Sequence, residues 1–95
     1  MDKNEIYEMV IQEMVENALQ QRRESCSKDE QKLYQEVGIL SEKVRNVLSK
    51  LSLEDHQAVD DYITKTNLIA QHECEYLYVQ GAKDCVELLK KLGVL

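Results

Sequence analysis

The chain has no Pro, no Phe and no Trp, and only three Gly among its 95 residues. That scarcity excludes collagen-like repeats, flexible linkers and most loop-rich β architectures. The five aromatic residues are all Tyr. No apolar run approaches the ~20 residues that span a bilayer. The opening Met1-Asp2-Lys3-Asn4-Glu5 is polar and lacks the apolar stretch of a secretory signal. Cys is sparse, at positions 26, 74 and 85. An odd count with no Cys-x-x-Cys pair predicts reduced thiols in a cytoplasmic protein.

A basic segment is also missing. The net charge is −6. Residues 1–24 carry six acids and three bases, residues 25–52 four and five, and residues 53–95 eight and four. Without a cationic footprint the chain is expected to bind neither nucleic acid directly nor an anionic membrane surface. Catalytic signatures are absent as well. There is no Gly-rich phosphate loop, no Gly-x-Ser-x-Gly, no His-Glu-x-x-His and no Glu-x-x-His. His72 and Cys74 lie two residues apart, about 200° round a helix, and cannot share a metal. No catalytic residue, cofactor site or metal site is assigned, and none of these residues supports an enzyme.

What the chain does have is helical periodicity nearly throughout, and the reading is an all-α single domain, residues 1–95, of three helices at about 2–23, 28–51 and 53–92. In the first segment Asp2 and Glu5 have capping-box spacing, and Met1 and Ile6 have the spacing of a hydrophobic staple. Apolar pairs recur every four residues: Ile6/Tyr7, Val10/Ile11, Met14/Val15 and Ala18/Leu19. They make one wide stripe.

The second segment opens on a capping box, Ser27-Lys28-Asp29-Glu30. Its apolar residues Leu33, Val37, Leu40, Val44, Val47 and Leu51 alternate steps of four and three, a seam for packing against another helix. Lys32 and Glu36 are expected to pair across one turn. Ser52-Leu53-Glu54-Asp55 starts the third segment one residue past that seam, so segments two and three form an antiparallel hairpin. The third stripe is Ile63, Thr66, Ala70, Cys74, Leu77, Gly81, Cys85, Leu88, Leu92 and Leu95. Its leading steps follow an eleven-residue repeat, which imposes no left-handed supercoil. Asp60 and Asp61 are expected to form an ion pair with Lys65 on a wet face.

The lengths do not match. Segment three, at about 60 Å, outruns segment two, at about 36 Å. The overhang is the most apolar part of the chain, and Val79, Val86 and Leu89 lie off its main stripe. An apolar surface on several faces requires cover. Segment one supplies it if Arg22–Ser27 is a kink and not a U-turn; a second copy also supplies it. The expected assembly is a bundle completed by a homodimer. Leu77, Tyr78, Gly81, Cys85, Leu88, Leu89 and Leu92 are its candidate interface residues.

The hairpin over residues 28–95, above all Glu73-Cys74-Glu75-Tyr76-Leu77-Tyr78-Val79-Gln80-Gly81, resembles an uncharacterised family of small helical-hairpin proteins of Gram-positive bacteria and their mobile elements. In that family a Leu-Ser-x-x-Asp-like turn joins two long helices; here Leu51-Ser52-Leu53-Glu54-Asp55 stands there. Acids, an aromatic residue, a Gly and an apolar tail follow, matched here by Glu73, Glu75, Tyr78, Gly81 and Leu88–Leu92. The chain departs from the pattern after Gly81. Lys83, Asp84 and Cys85 stand where a second Gly and an Arg are expected. The resemblance implies the hairpin fold and no activity.

Cys74 and Cys85, on the stripe, read as buried small hydrophobes. Cys26 lies beside Arg22, Arg23 and Lys28 and is the most plausible reactive thiol of the three. Gly81 weakens its helix, which makes sense where another backbone comes close. The functional expectation is a non-enzymatic oligomeric protein-interaction module, an adaptor or accessory protein. The alternative is an acidic regulator of a nucleic-acid-binding protein encoded on a phage or mobile element.

Overall fold

The computed structural model describes residues 2–95. Three helices follow in order, α1 (Lys3–Ser25), α2 (Lys28–Leu48) and α3 (Leu53–Lys91), with no strand among the described residues. The protein is all-α.

Short polar side chains start each helix. Asp2 Oδ1 accepts the Glu5 amide at 2.8 Å, Ser27 Oγ that of Glu30 at 3.3 Å, and Ser52 Oγ that of Asp55 at 3.2 Å. Each bond satisfies one of the four amides that a helix start leaves free. The box at Ser27 is only half formed. The Glu30 carboxylate does not return to the Ser27 amide but pairs with Arg22 at 3.2 Å. The staple between Met1 and Ile6 lies outside the described residues.

The helix ends differ from the periodicity. α1 runs on to Ser25, whose hydroxyl donates to the Gln21 carbonyl at 2.7 Å. α2 stops at Leu48, not at Leu51. The chain tightens there into three-residue steps, Lys50 N to Val47 O at 3.1 Å and Leu51 N to Leu48 O at 3.2 Å, so Leu51 leaves the helix. α3 ends at Lys91 in a Schellman turn, with Val94 N to Leu89 O at 2.9 Å and Gly93 N to Lys90 O at 3.1 Å. Gly93 takes φ 75°, a conformation that favours Gly.

Contacts group the chain into two compact units. One joins α1 up to Leu19 with Ile69–Leu95. α1 therefore lies along the C-terminal half of α3, which decides the question left open by the helix lengths. The other unit is Gln20–Leu68. In it α2 and the first half of α3 form the expected hairpin, with Ser41, Arg45 and Leu48 sharing a groove with His56, Asp60 and Ile63.

Two expected ion pairs do not form. Lys32 does not reach Glu36, and neither Asp60 nor Asp61 reaches Lys65. Asp60 instead meets His56 at 3.6 Å, and Asp61 accepts from Gln57 Nε2 at 2.9 Å. Exposed pairs gain little over solvation, so nearby partners displace them easily.

Candidate interaction surfaces

Within each unit, two packed helices enclose almost nothing. Val15, 7% exposed, is the one buried residue among those described. The chain exposes 8491 Å². A compact monomer of 11.1 kDa exposes roughly 5,700 Å². The surplus is about 2,800 Å².

In the first unit the apolar circumference of α3 is divided. Tyr78, Val79 and Ala82 line a groove with Tyr7, Ile11 and Met14 of α1. Ile11, Tyr78, Val79 and Leu89 are half-buried. The main stripe lies about a third of a turn away and stays open. Leu77 is 65% exposed, Leu88 57% and Leu92 67%. Ala70, Cys74, Gly81 and Cys85 are exposed too.

The seven candidate interface residues are thus split. Tyr78 and Leu89 lie half-buried on or near the side that α1 takes, while Leu77, Gly81, Cys85, Leu88 and Leu92 share the uncovered stripe. Cys74 and Cys85 are not buried within the chain, contrary to expectation. The reason is that α1 packs on the neighbouring face. A methyl group added at Gly81 would meet nothing within 4 Å, so no contact inside the chain requires Gly there.

In the second unit the seam of α2 is also uncovered. Leu33, Val37, Leu40, Val44 and Val47 are exposed, Val37 at 62%. α2 turns Ser41, Val44, Arg45 and Leu48 towards α3, so Val44 lines that groove while Leu33, Val37, Leu40 and Val47 lie outside it.

A polar corner joins α1 to α2. Arg22 Nη1 donates to Tyr34 Oη at 2.8 Å and Nη2 to Glu30 Oε2 at 3.2 Å. The hydrogen bond that Arg22 donates to Glu30 and the charge interaction with Tyr34 hold the Arg22 pKa above its ordinary value. The Arg23 guanidinium lies 5.9 Å from the Tyr34 ring centroid, within cation–π range. Cys26 is half-buried here. Its thiol donates to the Arg23 carbonyl at 3.2 Å, and its own carbonyl accepts from Gln31 Nε2 at 3.2 Å. The Arg22 guanidinium is thus engaged by Tyr34 and Glu30, and that of Arg23 lies over the Tyr34 ring. Tyr34 was not singled out by the sequence, since helical spacing does not relate residues twelve apart across a turn.

Among the described residues, no three His, Cys, Asp or Glu side chains come together as a metal site. None of the described helices is long and apolar enough to cross a membrane. Comparison with known protein families, curated proteins and solved structures finds no match.

Proposed function

We propose that this chain is a non-enzymatic, homo-oligomeric helical module that works by binding protein surfaces, as an adaptor or accessory protein. One observation carries the reading. With one buried residue among those described, the chain exposes 8491 Å², and exposed Leu and Val side chains fall in helical lines on α2 and α3. Two copies each removing about 2,800 Å² would form an interface in the size class of obligate dimers. The two uncovered lines, on α2 and on α3, give such a module more than one contact face. Three free cysteines suit a reducing, cytoplasmic setting.

Folding coupled to association ties stability to concentration. The test is thermal unfolding by circular dichroism over a hundredfold range of protein concentration. The midpoint is expected to rise steadily with concentration. A midpoint independent of concentration would contradict an obligate assembly.

A further inference from the structure

We infer that a second copy of this chain docks antiparallel on the exposed α3 stripe, with the two-fold axis passing beside Gly81. This rests on the homo-oligomeric reading and adds its geometry. The argument starts from the order of residue sizes along α3. From Ala70 to Leu92 the stripe steps by 4, 3, 4, 4, 3 and 4 residues, which reads the same in both directions about Gly81. An antiparallel pair centred there sets Ala70 opposite Leu92, Cys74 opposite Leu88 and Leu77 opposite Cys85. Each facing pair joins a large side chain to a small one, as interdigitated packing requires. Gly81 meets its own copy, where the two helix axes can come closest.

Other registers lose this match. A parallel pair in register sets Leu on Leu and Cys on Cys. Slipping the antiparallel pair by one turn brings Cys74 opposite Asp84 and Cys85 opposite Glu73, or else sets Leu77 opposite Leu89. In the proposed register Glu73, on the flank of the stripe, falls within a turn of Lys91 of the partner subunit, an attraction of opposite charges.

Two further observations point the same way. Every residue of this palindrome is exposed in the single chain. The open space at Gly81 leaves its lack of a side chain without an internal purpose. A self-complementary patch is what a two-fold interface requires. The register engages α3 only from Asn67 onward, so the seam of α2 is left for a second contact.

The register is tested by directed cross-linking of the full chain. Leu77→Cys, in a Cys26→Ser background, places a thiol opposite Cys85 of the partner subunit, and Leu88→Cys places one opposite Cys74 of the partner subunit. Each is oxidised with diamide at low micromolar concentration, separated without reductant and mapped by peptide mass spectrometry. Mass by light scattering is measured before oxidation. The expected result is at least ten times more covalent dimer than the parent chain gives, through those two linkages. If both variants are oligomeric yet link only Cys74 to Cys74, or do not link, the antiparallel register is overturned and the homo-oligomer stands. If the parent chain is monomeric, both are overturned. Two variants at different positions guard against one of them failing to assemble.

Discussion

Leu88→Glu is expected to break the assembly and leave the isolated chain folded. Leu88 is 57% exposed in the single chain, and surface substitutions of that kind shift stability by about 0.5 kcal/mol or less. In the proposed dimer the same side chain would be buried twice, once from each copy. Burying a Leu is worth about 1.5–3 kcal/mol, so two cost about 3–6 kcal/mol before the desolvation of two carboxylates is added. At 1.4 kcal/mol per factor of ten, the dissociation constant rises by roughly 10²–10⁴. Sedimentation equilibrium gives that constant directly. An unchanged constant would mean that the stripe faces water in the assembly.

Val15→Asp is expected to have a comparably large effect by a different route. Val15 is the one buried residue among those described, on the helix that packs with the C-terminal half of α3. An unpaired charge buried there costs about 3–5 kcal/mol. Most of a helix's stability in a protein comes from its packed face, so α1 should melt off the unit. Urea unfolding should show a much lower midpoint, and circular dichroism a loss of helix. A midpoint within error of the parent would show that α1 does not hold its place through Val15.

The helix starts were legible in the sequence because capping is local. Asp2, Ser27 and Ser52 each accept an amide three residues ahead, and that spacing is visible without a fold. The end of α2 was less legible. The seam continues in phase to Leu51, whereas the chain leaves the helix at Leu48 under the pull of a tight connection. Periodicity records which residues are apolar, not where the backbone turns.

The site was legible in outline only. The excess apolar surface of the α3 tail was plain from helix lengths and from Val79, Val86 and Leu89 lying off the stripe. Which face α1 would choose was not, since a tail apolar over more than half its circumference offers two. α1 took the side of Tyr78 and Val79 and left Leu77, Gly81 and Leu88 open, which separated Tyr78 and Leu89 from the other five candidates. The corner around Tyr34 was illegible for a related reason. Its bond to Arg22 crosses a turn between two helices, and residues in different helices share no period.

The central claim is that this chain does not work alone, and the mass of the purified protein tests it most directly. Light scattering on a size-exclusion column at low micromolar concentration should report at least twice the 11.1 kDa of one chain. A single species at 11.1 kDa would contradict the account, because the open lines on α2 and α3 would then face water in the native state.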